Sequence, residues 1–242
     1  MLILIQRLCI RNRMLQKLIK ELNFGADSGR ASAYQRFFKT GKGQYGEGDM
    51  FIGLTVPFQR VLAKRYVDLS LEDVERLLKS KVHEFRMTGF LILVYKFDKR
   101  NREEIYNFYL NNLDGANNWD LVDCTADKIM GEYLLDRDKS VLYEFAHSND
   151  LWRKRVAIIS TFRFIKNNQF EDTLKISEIL LNDKHDLIHK AVGWMLREVG
   201  KRDLSVEENF LKKYYKNMPR TMLRYAIEKF EENKRKEWLK KE

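Results

Sequence analysis

The sequence has few of the residues that interrupt helices. Among 242 residues there are two Pro and twelve Gly, and these two residue types most often mark turns and breaks. Apolar residues recur at helical spacing between short polar breaks, as in Leu71, Val74, Leu77 and Leu78. The scarcity of breakers therefore predicts a mostly helical protein.

Cysteine and long apolar runs are also scarce. Cys9 and Cys124 form no motif with each other or with a His, so we expect a reduced, cytoplasmic protein, associated with the nucleoid if the source is bacterial. The opening run MLILIQRLCIRNR is too short for a membrane span or a signal peptide, and no membrane association is expected. Because a cleaner amphipathic stretch begins at Met14, the hypothesis is that residues 1–13 are an extension or an upstream start.

Motifs for metals, cofactors and nucleophilic catalysis are missing. His185 and His189 are four residues apart and could face one ion, but no third ligand and no HExxH pattern accompanies them. The Gly-rich stretch 41–48 lacks the Walker spacing and a flanking strand. No Ser-His-Asp or Cys-His arrangement can be argued. We expect no metal site and no cofactor.

Positive charge is concentrated in the second part of the chain. The formal net charge is +10; residues 151–242 carry 22 basic against 14 acidic residues, whereas the first 150 carry 23 against 21. A basic half suggests a polyanionic partner, most often nucleic acid. A Lys-rich solvated surface is the alternative that charge alone leaves open.

Successive helix pairs recur every 30 to 40 residues. This spacing is typical of HEAT-like arrays, so the fold class is predicted as all-α, with HEAT-like repeats stacked into a curved α-solenoid that has a basic concave face. No internal linker is visible, and we expect one domain over 1–242 and a monomer. The predicted helices after residue 80 are 82–98, 101–113, 119–135, 138–147, 150–167, 170–182, 186–200, 205–217 and 219–241.

The stretch NNWDLVD places a carboxylate one helical turn after an indole. Asp123 follows Trp119 by four residues and shares its helix face. Asp120 has a structural role available as a charge near a helix start. Asp123 has no such role, which makes it a candidate for chemistry; a satisfied structural acid is the alternative.

Two further stretches combine cations with a helix start. In WRKRVAI, Arg153 and Arg155 cannot both face the core, and a basic helix start that leans on solvent is the alternative to a functional site. In MPRTMLRYAIEK, Arg220, Thr221 and Arg224 crowd the first turns of a helix. Helix amino termini hold anions, so these residues predict a phosphate contact.

The stretch KAVGWMLRE has a glycine inside a helix. Gly193 costs about 1 kcal/mol relative to Ala, so we expect another element to approach closely there. Trp194 has Lys190 and Arg197 on its helix face, an arrangement that suits stacking beside phosphates. A buried core Trp is the alternative.

Together, NNWDLVD, WRKRVAI, KAVGWMLRE and MPRTMLRYAIEK resemble the AlkD-type DNA alkylation repair glycosylases over residues 34–230. The resemblance implies a basic cradle for duplex DNA built from HEAT-like repeats. It implies that Asp123 is the catalytic carboxylate, that Trp119 and Trp194 are the aromatic residues beside it, and that Arg155 is an active-site arginine. Arg197 falls on a position expected to contact DNA.

A looser match covers QRFFKT and GLTVPFQR, where Phe37, Thr55 and Arg60 correspond to cradle positions. Phe37 stands where some relatives have Tyr, and Asp186 and Leu187 stand where some have aromatic residues. These departures concern the range of lesions rather than the core chemistry.

The expected reaction is hydrolysis of the N-glycosidic bond of cationic alkylated purines, 3-methyladenine and 7-methylguanine, in duplex DNA. The resemblance also implies action from the backbone side of the lesion, without the tight base-flipping pocket of many glycosylases. Two alternatives are a non-catalytic HEAT-like scaffold that binds nucleic acid or protein, and an RNA-binding repeat protein.

Overall fold

A computed structural model describes residues 2–99 and 101–240, with side chains from residue 13 onward. The described residues contain no β-strand, and one isolated parallel bridge joins Met50 to Val82. The predicted all-α fold class is therefore confirmed, whereas solenoid curvature and a basic concave face stay predictions. Over the same ranges, no helix has both the length and the apolar character that a bilayer crossing requires.

The helices form two compact units, Met1–Thr125 and Ala126–Glu242, each with its own core. The first contains α1 (Leu2–Phe24), α2 (Ser28–Phe37), α3 (Val56–Arg65), α4 (Leu71–Leu78), α5 (His83–Phe97), α6 (Arg102–Asn111) and α7 (Trp119–Asp123). The second contains α8 (Glu132–Leu134), α9 (Ser140–His147), α10 (Leu151–Lys166), α11 (Glu171–Ile179), α12 (Asp186–Gly200), α13 (Leu204–Tyr214), α14 (Arg220–Ala226) and α15 (Glu232–Leu239). The single-domain organisation stays a prediction.

Helix α5 is the centre of the first unit. Nearly all of its side chains are buried, and α3, α4, α6 and α7 pack against it. The start of α4 is fixed by its N-cap, because the Ser70 hydroxyl accepts a hydrogen bond from the Asp73 amide at 3.3 Å. Helix α1 begins at Leu2, so the backbone of residues 2–13 continues the helix; the side chains of residues 1–12 lie outside the described part, and the extension stays a hypothesis.

Alternate helices of the second unit stack on one another, as in a helical repeat. Helix α10 packs on α12, α12 packs on α14, and α9 and α11 pack beside them. A Cβ added to Gly193 would lie 2.4 Å from the Met222 carbonyl oxygen and 2.5 Å from Tyr225 Cβ. The close approach predicted at this glycine is confirmed, and the approaching element is α14.

The prediction of one continuous helix over 119–135 is wrong, because the α-helix ends at Asp123. A turn follows, and the next segment, Asp127–Gly131, is a π-helical turn in which the Gly131 amide donates to the Ala126 carbonyl at 2.9 Å. Thr125 is buried in the turn, where its hydroxyl bonds the Leu121 carbonyl at 2.6 Å and the Tyr109 hydroxyl at 2.8 Å. This tertiary contact fixes the turn.

The predicted helix 219–241 is also wrong as a single element. Helix α14 ends at Ala226, a 3₁₀ turn covers Ile227–Lys229, and Phe230 is extended before α15 begins. No Gly or Pro marks this break, so local sequence carries no signal for it.

Candidate functional site

The short helix α7 carries both Trp119 and Asp123. Asn118 caps it, and its side-chain oxygen accepts a hydrogen bond from the Trp119 amide at 2.9 Å. Asp120, Leu121 and Val122 are buried, whereas Trp119 and Asp123 are half-buried. The indole and the carboxylate therefore share the exposed face of the helix, as their spacing predicts.

Aromatic rings from α2 and its C-cap hold the Trp119 indole. The Phe38 ring stacks on it with centroids 5.3 Å apart and an interplanar angle of 21°. The Phe37 ring meets it edge to face, with centroids 5.9 Å apart at 73°. Phe37 is 62% exposed. This candidate for DNA contact therefore lies directly beside Trp119.

Helix α3 brings a second candidate to α7. Arg60 Nη2 donates to Cys124 Sγ at 3.8 Å, one residue beyond Asp123. Thr55 is the N-cap of α3 and makes no side-chain capping hydrogen bond. The loop before Thr55 is fixed by the buried Glu84 carboxylate, which accepts hydrogen bonds from the amides of 52–54 at 2.8–3.2 Å. Phe37 and Arg60 are thus brought to α7, with Thr55 at the start of the helix that carries Arg60.

A buried ionic cluster under α7 was not foreseen from the sequence. His83 Nδ1 lies 3.1 Å from Asp49 Oδ2, and His83 Nε2 lies 2.9 Å from Asp120 Oδ2. Arg86 Nη2 donates to Asp49 Oδ1 at 2.7 Å and to Asn117 Oδ1 at 2.8 Å. The role predicted for Asp120 is therefore incomplete: it lies in the first turn of α7, but its main partner is His83.

Burial and charge act in opposite directions on this cluster. Burial alone would lower the pKa of His83, but Asp120 and Asp49 together raise that pKa to about 9. Burial would raise the pKa of Asp49, whereas its hydrogen bond to His83 and the positive charge of Arg86 hold it below the usual value. His83 therefore keeps its positive charge at neutral pH, and Asp49 keeps its negative charge.

The second unit contains Arg155 and Arg153. Arg155 is 5% exposed, and its Nη1 donates to the Leu187 carbonyl at 2.5 Å. Arg153 is exposed and its guanidinium lies 5.4 Å from the centroid of the Phe145 ring. The prediction that the two arginines cannot both face the core is confirmed.

Carboxylates accompany Trp194 and its cationic neighbours. The half-buried Trp194 indole donates from Nε1 to Glu198 Oε1 at 3.1 Å and packs against Phe162, with ring centroids 5.7 Å apart. Arg197 forms ion pairs with Glu228 and Glu198. Trp194 therefore lies on a partly exposed face beside an ion-pair network, not in the core.

Two of the candidates at the start of α14, Arg220 and Thr221, contact other elements. Arg220 Nη1 donates to the Leu239 carbonyl at 2.7 Å, and Arg224 is exposed. Lys190 Nζ lies 2.7 Å from Asp186 Oδ2. Burial would raise the pKa of Asp186, but hydrogen bonds from Lys190 and Thr221 lower it. Asp186 thus joins two of the predicted DNA contacts.

The side chains of His185 and His189 both lie within hydrogen-bond distance of backbone groups. His185 caps α12, its Nδ1 accepting from the Leu187 amide at 3.1 Å, and burial lowers its pKa. His189 Nε2 lies 2.6 Å from the Asp183 carbonyl oxygen. Among the residues that the structure describes, no group of three or more His, Cys, Asp or Glu side chains is arranged to hold a metal ion.

Comparison with known proteins places these residues in a family context. A family model described as "DNA alkylation repair enzyme" matches residues 18–230. A solved structure described as a predicted DNA alkylation repair enzyme from Enterococcus faecalis has a TM-score of 0.70 and 17% sequence identity, over 86% of this chain and 97% of that one. At that identity the likeness concerns the fold alone. No curated protein sequence matches the chain.

Proposed function

The chain belongs to the DNA alkylation repair enzyme family, and from that premise we propose that it is a DNA glycosylase. It excises cationic alkylated purines, 3-methyladenine and 7-methylguanine, from duplex DNA in base excision repair. The observation that carries the proposal is the exposed face of α7, where a half-buried carboxylate, Asp123, stands one turn from a half-buried indole, Trp119.

The proposed reaction requires from the protein a negative charge near the sugar and a fixed position for the attacking water. Alkylation at N3 or N7 makes the purine cationic, so the base is already a good leaving group. When the C1′–N bond breaks, its electron pair neutralises the base and positive charge builds on the deoxyribose. A fixed carboxylate such as Asp123 stabilises that charge and orients the water that attacks C1′. The attacking water gives its proton to Asp123, which passes it to solvent, and no acid is needed to protonate the base.

Trp119 supports the same step through its ring. An indole face packs against a sugar and attracts a neighbouring cation. Phe38 stacks on the indole, which limits the orientations that the ring can take. Trp119 is therefore assigned as a sugar wall beside Asp123.

The remaining assignments rest on the resemblance to AlkD-type enzymes. Arg155 is assigned to a backbone phosphate, and Trp194 to packing on the sugar. The DNA contacts are assigned to Phe37, Thr55, Arg60, Arg153, Lys190, Arg197, Arg220, Thr221 and Arg224. An enzyme that acts from the backbone side would accept bulky adducts.

Substitution of the carboxylate tests the proposal. Asp123→Asn keeps the shape of the side chain and removes its charge, so release of 7-methylguanine from methylated duplex DNA should fall by about 10² to 10³-fold, while DNA affinity is retained. Asp136→Asn is the matched control, because Asp136 is exposed and lies outside the candidate site.

Two outcomes would count against the assignments. Unchanged release by Asp123→Asn would remove Asp123 from the mechanism. Absence of release by the unmodified protein, with DNA binding intact, would favour the non-catalytic scaffold instead.

A further inference from the structure

We propose that His83 is a positioning residue for α7: as an imidazolium held between Asp49 and Asp120, it orients the helix that carries Trp119 and Asp123. The kinetic consequences of this inference rest on the proposed glycosylase function. Its structural part does not.

The hydrogen-bond geometry requires a doubly protonated ring. Both ring nitrogens of His83 lie within 3.1 Å of carboxylate oxygens, and an ionised carboxylate can only accept hydrogen bonds. A neutral imidazole donates from one nitrogen alone and would turn a lone pair toward the second carboxylate. His83 is 2% exposed, so water does not relieve that repulsion.

The charges around His83 balance. Asp120 faces it from α7, Asp49 faces it from the loop before α3, and Arg86 lies on its own helix. The buried cluster thus contains two cations, His83 and Arg86, and two carboxylates. Removing any one member of such a cluster is costly in folding free energy. The His83 ring also contacts Phe51 and Phe38, with ring centroids 4.5 and 5.2 Å away.

Helix α7 depends on such anchors because it has only five residues. Helices this short are not stable on their own, so tertiary contacts decide where their side chains point. His83 holds Asp120 inside α7. Arg86 holds the segment that leads into α7, donating to the Gly115 carbonyl at 3.1 Å and to Asn117.

A second route joins His83 to the indole. His83 stacks on Phe51, Phe51 stacks on Phe38 with centroids 4.9 Å apart, and Phe38 stacks on Trp119. A change in the His83 ring therefore reaches α7 through Asp120 and reaches Trp119 through the aromatic rings. Small displacements of a catalytic group, of about 1 Å, can cost on the order of 10²-fold in rate.

The kinetic experiment compares His83→Gln with His147→Gln, a control at an exposed histidine of α9. Gln at 83 fills the site but carries no charge. We expect single-turnover excision of 7-methylguanine to fall by about 10 to 100-fold in His83→Gln, with the Kd for DNA and the circular dichroism spectrum unchanged, and His147→Gln to match the unmodified protein. Excision at the unmodified rate by folded His83→Gln would overturn the proposal.

The pH profile gives a signature that a merely structural residue would not produce. Excision by the unmodified protein should decline above about pH 9, because the pKa of His83 is raised to about 9. Asp120→Asn keeps an acceptor for the ring but removes the charge that most raises this pKa, so its alkaline decline should start about one pH unit lower or more. An unmoved decline in Asp120→Asn would contradict the proposal, as would its presence in His83→Gln.

Nitrogen-15 NMR of histidine-labelled protein separates this inference from the proposed function. At pH 8 both ring nitrogens of His83, identified by their loss in His83→Gln, should carry protons, and the Trp119 indole signal should shift in His83→Gln. A neutral ring or an unmoved Trp119 signal would overturn the proposal. If the unmodified protein releases no base, the glycosylase assignment fails while the NMR result still decides the position of α7.

Discussion

At the residue scale, Phe37 is the more exposed of the two phenylalanines, Phe37 and Phe38, whose rings contact Trp119. Phe38 is buried under the indole, whereas Phe37 presents its ring to solvent at the end of α2. An exposed aromatic ring adds little to folding stability and is available to a ligand. A substitution of Phe37 is therefore expected to change DNA affinity without changing folding stability.

Replacing Phe37 with Ala should weaken binding without unfolding the protein. We expect the Kd for methylated duplex DNA to rise about fivefold, equivalent to roughly 1 kcal/mol, and Tm to change little. Phe24→Ala is the control, because Phe24 is 93% exposed at the end of α1. Equal Kd values for the two variants, measured by fluorescence anisotropy, would exclude Phe37 from the DNA contact.

Contacts between residues close in the sequence could be predicted, whereas contacts between distant residues could not. Trp119 and Asp123 could be paired from the sequence because a helix brings residues four apart to one face. His83 is 34 residues from Asp49 and 37 from Asp120, and no local rule links them. The one available signal was the placement of His83 and Arg86 at the start of HEFRMTGFLILVYKF, a stretch that continues with the apolar run GFLILVY.

At the scale of elements, α13 packs against the end of α12 through a buried acid. Glu207 is 1% exposed, and its Oε1 has no hydrogen-bond partner. Its carboxyl group occupies the space that a Cβ would take at Gly200. Burial and the neighbouring Glu208 raise the pKa of Glu207 to about 8, although Arg197 opposes the shift.

Stability should therefore fall as pH rises across a defined window. Because the pKa of Glu207 is about 8 in the folded chain and near 4.3 in unfolded chains, the folded state binds more protons between these values. The free energy of unfolding should decrease by about 1.4 kcal/mol per pH unit there and level off above pH 8.

Glu207→Gln provides the comparison. The variant should lose this slope and be more stable than the unmodified protein at pH 7 to 8, as measured by chemical denaturation from pH 5 to 9. Parallel stability curves for the two proteins would show that Glu207 does not retain its proton in the folded state.

Helix boundaries were predictable where capping and backbone chemistry are local. Ser70 is an example, since its hydroxyl caps α4; within α12, Gly193 likewise indicated the close approach of α14. The helix breaks after Asp123 and Ala226 were not predictable. The first depends on the buried contact between Thr125 and Tyr109, and no Gly or Pro marks the second.

At the scale of the whole molecule, the charge of the chain predicts how binding responds to salt. Each phosphate neutralised contributes about −0.9 to the slope of log K against log salt. Apart from the buried Arg155, six assigned contacts are cationic, and two of these, Lys190 and Arg197, form ion pairs with carboxylates of the protein. The six are Arg60, Arg153, Lys190, Arg197, Arg220 and Arg224.

The slope for duplex DNA should therefore lie between about −3.6 and −5.4, and binding to single-stranded RNA at the same salt should be weaker. Arg224→Gln should reduce the magnitude of the slope by about one, whereas Arg137→Gln, at an exposed arginine outside the assigned set, should leave it unchanged. A slope near zero would contradict a phosphate-binding surface, and tighter RNA binding would favour the RNA-binding alternative.

The most direct measurement of the central claim is identification of the bases that the unmodified protein releases from methylated duplex DNA. Mass spectrometry of the small-molecule fraction should detect free 7-methylguanine and 3-methyladenine, with one abasic site in the DNA for each base released. Release no greater than in an enzyme-free control, by protein that binds the same DNA, would contradict the glycosylase account.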